Sequence, residues 1–151
     1  MIKRRADHEL FYLLVMRIAR QWRRNADYRL SAAGISQASG WPLLILARAD
    51  AELRVSEIAE ILGLEGPSLV RIVESLVAEG LISRRVDPSD KRAKLLKLTS
   101  KGEGCIPILT ELLEQLDQQF LGRFSEEEFG VMLRDMVQLD QILSRDKYVI
   151  Q

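Results

Sequence analysis

The sequence predicts a mainly α-helical protein with a small β component, built around one hydrophobic core. Three observations predict this fold class. Apolar residues recur at helical spacing over most of the 151 residues, two helices joined by a tight turn follow one another near the middle, and a short, basic, turn-rich hairpin comes next. A chain of this length can form one core and is short for two. An apolar fraction of 47% argues against disorder.

The composition argues against several classes of function. His8 and Cys105 are the single histidine and cysteine, so we expect no disulfide framework, no zinc site, no cofactor and no catalytic side chains. The longest apolar run, residues 41–47, is too short to cross a bilayer, and the first residues, MIKRRADHEL, lack the apolar region of a signal peptide. These features predict a cytoplasmic protein that is neither an enzyme nor bound to a membrane.

The first two helices are predicted over residues 7 to about 25 and over residues 36–49. In the first, Leu10, Leu14 and Ile18 recur at helical spacing, and arginines occupy other positions. In the second, Pro42 is expected either to start the helix or to kink it.

The stretch SEIAEILGLEGPSLVRIVESLVAEG predicts a helix, a tight turn and a second helix. Ser56 is expected to cap the first helix, which stops at Gly63. Pro67 suits the first turn of the second helix, and Gly80 suits the left-handed position after its end. This pattern is typical of a helix-turn-helix.

A basic hairpin and two long helices complete the chain. The segments 81–86 and 93–98 flank the turn DPSDKR, and residues 84–101 carry seven basic and two acidic side chains although the net charge is zero. Ser100 with Glu103 has the spacing of a capping box for a helix to about residue 121. Ser125 with Glu128 repeats that spacing for a last helix to about residue 145.

A helix-turn-helix followed at once by a charged hairpin is the layout of a winged helix, and it predicts binding of double-stranded DNA. The second helix would enter the major groove, and the tip of the hairpin would reach the minor groove or its flanking phosphates. An acid near the tip, Asp87 or Asp90, could orient an arginine and brace the turn. The predicted DNA-binding residues are Pro67, Ser68, Arg71 and Ser75 on the helix and Arg84, Arg85, Asp90, Lys91, Arg92 and Lys94 on the hairpin, with Lys97 as a further backbone contact.

The same residues resemble the MarR family of bacterial transcription regulators, and within it the SlyA-like branch. The resemblance covers residues 55–102. It depends on the paired helices and on a wing signature that reads Asp90, Lys91, Arg92 and then Leu98, Thr99, Gly102. The resemblance implies that Arg92 is the wing-tip arginine, Asp90 its bracing acid, and Ser68 and Arg71 contacts of the recognition helix.

The resemblance also implies a homodimer that reads a pseudo-palindromic operator, more often as a repressor. Residues 1–35 and 103–151 would form the helical dimerisation region, and residues 36–102 the winged helix-turn-helix lobe. Family members often bind small anionic aromatic molecules between these regions, and a small aromatic carboxylate is the ligand expected here. The candidate ligand residues are Trp41, Arg17, Tyr12, Trp22 and Arg20, which combine aromatic walls with partners for a carboxylate.

Two alternatives remain open from the residues alone. The winged helix could serve protein–protein contacts without DNA, although its basic hairpin would then lack a purpose. The candidate ligand residues could instead be core aromatics and solvent-facing arginines, and Cys105 is more readily interpreted as a structural thiol than as a redox sensor.

Overall fold

The computed structural model describes residues 2–31 and 35–145. Over these residues the chain forms six α-helices and three short β-strands. They are α1 (Ile2–Ser31), α2 (Gln37–Arg48), β1 (Leu53–Arg54), α3 (Val55–Leu62), α4 (Gly66–Ala78), β2 (Ile82–Val86), β3 (Lys94–Leu98), α5 (Ser100–Phe120) and α6 (Glu126–Arg145).

The predicted order of the helices and of the hairpin strands is confirmed, with one longer helix and one additional strand. The helix α1 extends further at both ends than predicted, and its C-terminal extension carries the buried residues Ala26 and Leu30. The strand β1 was not predicted, since alternation cannot be recognised over two residues. Pro42 lies inside α2, not at its start, and its side chain is buried.

The helix ends confirm some of the predicted caps and correct others. Gly63 and Gly80 both have positive φ, as expected for residues that end α3 and α4. The Glu128 carboxylate accepts the Ser125 N–H at 2.8 Å, so the last capping box is present. The α3 prediction was wrong, because the helix begins before Ser56 and its N-cap N–H, that of Arg54, donates to Glu57 Oε2 at 2.6 Å.

The start of α5 is held by Thr99 and not by the predicted Ser100. Thr99 Oγ1 accepts the Gly102 N–H at 3.1 Å and donates to the Gly80 carbonyl at 2.6 Å. A Cβ at Gly102 would lie 2.1 Å from the Leu81 carbonyl oxygen, so this close approach requires glycine. The Leu-Thr-x-x-Gly part of the wing signature therefore connects the end of α4, the end of β3 and the start of α5. These contacts explain the spacing of its threonine and glycine.

The three strands form an antiparallel sheet in the order β1-β3-β2, so β3 is the central strand. Leu96 pairs with Leu53 on one side and with Arg84 on the other, and Leu95 pairs with Arg54 and Arg85. The core of the lobe lies where α2 packs against α4 and β3. Its fully buried side chains include Leu43, Ile58, Leu69, Leu76, Ile82 and Leu96.

The chain divides into two compact units, Met1–Leu113 and Glu114–Gln151. Every described side chain from residue 6 to residue 21 of α1 is exposed, including eight large apolar ones. The second unit contains α6, whose apolar side chains, such as Leu133 and Met136, are also exposed. Within the described ranges, no helix combines the length and hydropathy needed to cross a membrane.

Candidate DNA-binding surface

The helix α4 buries one stripe and exposes the residues that the sequence predicts for DNA contact. Leu69, Val73 and Leu76 are buried against the lobe. Pro67 lies in the first turn, where its missing N–H leaves no bond unmade. Pro67, Ser68, Arg71 and Ser75 are all exposed. The Ser75 hydroxyl, however, donates to Glu79 Oε1 at 2.8 Å, so within the helix it already has an acceptor.

Two further exposed residues of α4 were not among the predicted contacts. Glu74 is exposed and follows Arg71 by three residues, so both side chains lie on the same outward side of the helix. Val70 is 42% exposed, although its residue type suits a core position. Glu74 could have been found from the helical period, since its position lies opposite the apolar stripe.

The tip of the wing is a compact turn held by its own backbone. The Asp90 N–H donates to the Asp87 carbonyl at 3.2 Å, and the Ala93 N–H donates to the Asp90 carbonyl at 2.9 Å. Asp90 Oδ1 accepts the Arg92 N–H at 2.9 Å. Asp90 therefore braces the backbone of the turn. Within the described part of the chain, no carboxylate lies within ion-pair distance of the Arg92 guanidinium, which is exposed together with Lys91.

The remaining basic side chains of the hairpin are exposed and differ in their partners. Arg84 and Lys94 lie on β2 and β3. Arg85 is paired: its Nε donates to Glu52 Oε2 at 2.8 Å, and its Nη2 contacts the same oxygen. This hydrogen-bonded pairing raises the pKa of Arg85 and lowers the pKa of Glu52. A phosphate would have to compete with Glu52 for this arginine.

A second ion pair joins Arg54, at the start of α3, to Asp87, at the start of the wing turn. Arg54 Nε and Nη2 lie 2.7 and 2.6 Å from Asp87 Oδ2, and Nη2 also donates to Ser89 Oγ at 3.0 Å. Asp87 Oδ1 accepts the Ser89 N–H at 2.8 Å and the Ser89 hydroxyl at 2.7 Å. The expected bracing by an acid is thus confirmed for Asp87, but the arginine that it orients comes from β1.

Asp87 is the buried charged side chain of the described structure, with 5% of its surface exposed. Hydrogen bonds from the Ser89 hydroxyl and N–H, together with Arg54, lower the pKa of its carboxyl to about 2. The carboxylate is therefore ionised throughout the neutral range, and its hydrogen bond and charge in turn raise the pKa of Arg54.

None of the cavities that the structure describes is lined by more than one of the predicted ligand residues. Trp41 lines a hollow of about 10 Å³ with Ala26, Leu30, Gly40, Leu44 and Leu113, and this volume holds about one water. Tyr12, Arg17 and Arg20 are exposed on α1, and Trp22 is half-buried.

A larger cavity of about 530 Å³ lies between the end of α2, β3 and the start of α5. Its floor is apolar, with Leu46, Leu96 and Ile106, and none of the predicted ligand residues lines it. Its charged lining residues are Asp50, Glu52, Glu103 and Lys97. Three carboxylates against one ammonium oppose the charge that an anionic ligand requires. The described residues also hold no cluster of three potential metal ligands.

Comparison with known proteins agrees with this architecture. A family model described as "MarR family" matches residues 32–93. The solved structure of transcriptional regulator PA3341 is 31% identical over 89% of this chain and 98% of its own, with a TM-score of 0.79. The chain belongs to the MarR family.

Other solved structures are similar to this chain over most of their length. The S. aureus MepR–DNA complex is 27% identical over 88% of this chain and 97% of that one, with a TM-score of 0.80. A mutant of E. coli MarR complexed with operator DNA shares the fold at 24% identity and a TM-score of 0.75, over 83% of this chain and 90% of that one. This MarR-family chain thus shares its winged-helix fold with proteins that are solved in complex with DNA.

Proposed function

We propose that this MarR-family chain is a homodimeric repressor that occupies a pseudo-palindromic operator through α4 and the wing. In this proposal Arg71 and Ser68 contact bases or phosphates in the major groove, and Arg92 and Lys91 contact the adjacent minor groove or its phosphates. The carrying observation is that Arg92 is exposed on a backbone-braced turn without a carboxylate partner among the described residues. Its cation is therefore available to DNA.

The exposed helices support the homodimer. Ile18 of α1 is 62% exposed and Leu10 is 53% exposed, in a stretch where every described side chain faces solvent. Contiguous apolar surface of this kind is typical of a protein interface. A two-fold dimer would place two α4 helices about one turn of DNA apart, in keeping with a pseudo-palindrome. We propose residues 1–35 and 103–151 as the dimerisation region and residues 36–102 as the DNA-binding lobe.

The finer predictions of ligand and branch stay predictions. Release by a small aromatic carboxylate, through Trp41 and the arginines of α1, is supported by the family resemblance and not by the charge of the larger cavity. Membership of the SlyA-like branch likewise depends on the resemblance of the paired helices and the wing signature. Regulation without enzymatic activity follows the character of the family.

A matched pair of substitutions tests the DNA contacts. Arg92→Ala should weaken binding to specific and random DNA alike and reduce the slope of log affinity against log salt by about one, because it removes one phosphate contact. Arg71→Ala should cost about 1–3 kcal/mol on the preferred sequence and relax the preference at one base pair. Both are measured by fluorescence anisotropy on DNA from upstream of the gene and on random duplex.

Arg134→Ala, which removes an exposed arginine of α6, serves as the control and should bind as the unmodified protein does. Equal losses for Arg92→Ala and Arg134→Ala would count against a wing contact.

A further inference from the structure

The sheet links the helix-turn-helix to the wing through few main-chain bonds. Among the described residues, the strand β1 has two residues that pair with β3, and β3 in turn pairs with β2. Two-stranded pairings this short are weak by themselves and twist readily. The angle between the start of α3 and the hairpin therefore needs a further constraint.

Two ion pairs supply a direct connection between the outer strands. Arg54 and Arg85 both pair with Leu95 in the register, so the three side chains lie on the same face of the sheet. Arg85 of β2 reaches Glu52, just before β1, and Arg54 of β1 reaches Asp87, just after β2. Each ion pair thus joins β1 to β2 across the central strand.

The Arg54–Asp87 pair also fixes the turn that carries Lys91 and Arg92. Both carboxylate oxygens of Asp87 are used, one by Arg54 and the other by Ser89. The Asp87 carbonyl accepts the Asp90 N–H, and the Asp87 N–H donates to the Ala93 carbonyl. A rotation of Asp87 would therefore move the whole turn.

We propose that Arg54 and Asp87 are positioning residues for DNA binding, which hold the wing at the angle where Arg92 and α4 contact one duplex together. This inference depends on the proposed wing contact. Under this inference Arg54, the N-cap residue of α3, determines the orientation of the wing, which is the second DNA-contacting element. Neither residue needs to touch DNA for this effect.

The sign of the effect separates positioning from simple electrostatics. Asp87 is a negative charge within a hairpin that carries six basic side chains between residues 82 and 98. If it acted only through charge, its removal would strengthen DNA binding and steepen the dependence on salt. If it positions the wing, its removal weakens binding although the hairpin becomes more positive.

Asp87→Asn tests this difference by anisotropy on the preferred duplex at several salt concentrations. We expect binding to weaken roughly tenfold, about the value of one charge-assisted hydrogen bond. Glu60→Gln, which removes an exposed carboxylate from α3 in the same lobe, is the matched control and should leave affinity unchanged or slightly higher. Tighter or unchanged binding by Asp87→Asn overturns the proposal.

A double-mutant cycle with Arg92→Ala locates the effect. Positioning predicts that Asp87→Asn has little further effect once Arg92 is absent, since the contact it aligns is already lost. Equal losses in both backgrounds would show that Asp87 acts elsewhere and would overturn the proposal. If Arg92→Ala alone leaves affinity unchanged, the wing contact itself fails, and both proposals fall. If Arg92→Ala weakens binding and Asp87→Asn does not, only the positioning inference fails.

Arg54→Lys makes the same test if Asp87→Asn does not fold, and it keeps the charge constant. Lysine retains the cation but loses the planar fork that contacts Asp87 and Ser89 together. Positioning predicts a loss of about threefold to tenfold, equivalent to one or two hydrogen bonds, with an unchanged melting temperature of the dimer or a small shift. Affinity equal to that of the unmodified protein overturns the proposal.

Discussion

Two isoleucines with equal exposure stand in different regions of this molecule. Ile18 of α1 is 62% exposed and Ile61 of α3 is 61% exposed. Around Ile61 the neighbouring residues Ile58 and Ala59 are buried, so it is an exposed apolar side chain on a helix whose other face is packed in the lobe. Around Ile18 every described side chain from residue 6 to residue 21 is exposed.

The difference teaches that exposure of one residue carries little information, whereas exposure of a whole helix does. Single apolar side chains are common on protein surfaces and need no explanation. A helix that exposes eight large apolar residues within one stretch is unfavourable in water. Each Å² of apolar surface left unburied forgoes about 25 cal/mol of stabilising free energy. The apolar side chains of the lobe pack against other residues of the same chain. Under the proposed function, those of α1 pack against a second copy of the chain.

The largest effect is expected when a charge is placed on the exposed apolar surface of α1. Ile18→Asp would place a carboxylate in the proposed interface, where burial without a partner costs several kcal/mol, so the dimer should dissociate and operator binding should be lost at micromolar protein. Sedimentation velocity gives the mass, and anisotropy gives the DNA affinity. Ile61→Asp is the control of equal exposure and should remain dimeric. If both variants were dimeric, or both monomeric, α1 and α3 would not differ in their contribution to the dimer interface.

An intermediate effect separates the two regions by their dependence on protein concentration. Leu76→Ala empties a fully buried site in the lobe and should cost about 2–5 kcal/mol of unfolding free energy at any protein concentration. Leu10→Ala should destabilise through dimerisation, so its cost, measured by urea unfolding, should depend on protein concentration. A cost for Leu10→Ala that is constant over a hundredfold dilution would contradict a dimeric role for α1.

The smallest effect concerns the buried carboxylate of the lobe. Asp87 has its pKa lowered from 3.8 to about 2, so its contribution to stability is fully present above the higher value and is lost as the pH falls through the lower one. The free energy of unfolding should therefore decline between about pH 4 and pH 2, and urea unfolding across this range measures it. Asp87→Asn should show a shallower decline. An identical decline would mean that the Arg54 and Ser89 contacts do not stabilise the folded chain.

Much of the fold was readable because its signals are local. Gly63, Pro67 and Gly80 punctuate the helix-turn-helix, and each carries out the role that its backbone chemistry predicts. The capping box at Ser125 and Glu128 was readable for the same reason. The exposed residues of α4 and the wing tip also follow from periodicity and turn composition.

What could not be read depends on contacts between distant parts of the sequence. Arg54 and Asp87 are 33 residues apart, and neither the two-residue strand β1 nor its register with β3 leaves a periodic pattern. The pairing of Arg85 with Glu52 could not be predicted for the same reason. It gives a carboxylate partner within the chain to an arginine that the sequence predicts as a DNA contact. The role of Thr99 as the cap of α5 could not be predicted, because the sequence does not show that Thr99 also bonds to Gly80.

The junction at Thr99 leaves no flexible linker between the lobe and the helix that follows it. Thr99 ends the hairpin and starts α5, Gly102 lies against Leu81, and Lys101 Nζ donates to the Glu79 carbonyl at 2.8 Å. The first turn of α5 is thereby joined to the end of α4 as well as to the sheet. Because of these contacts, a tilt of this turn would displace the end of α4 as well, so under the proposed function the fit of α4 to the major groove would depend on the orientation of α5.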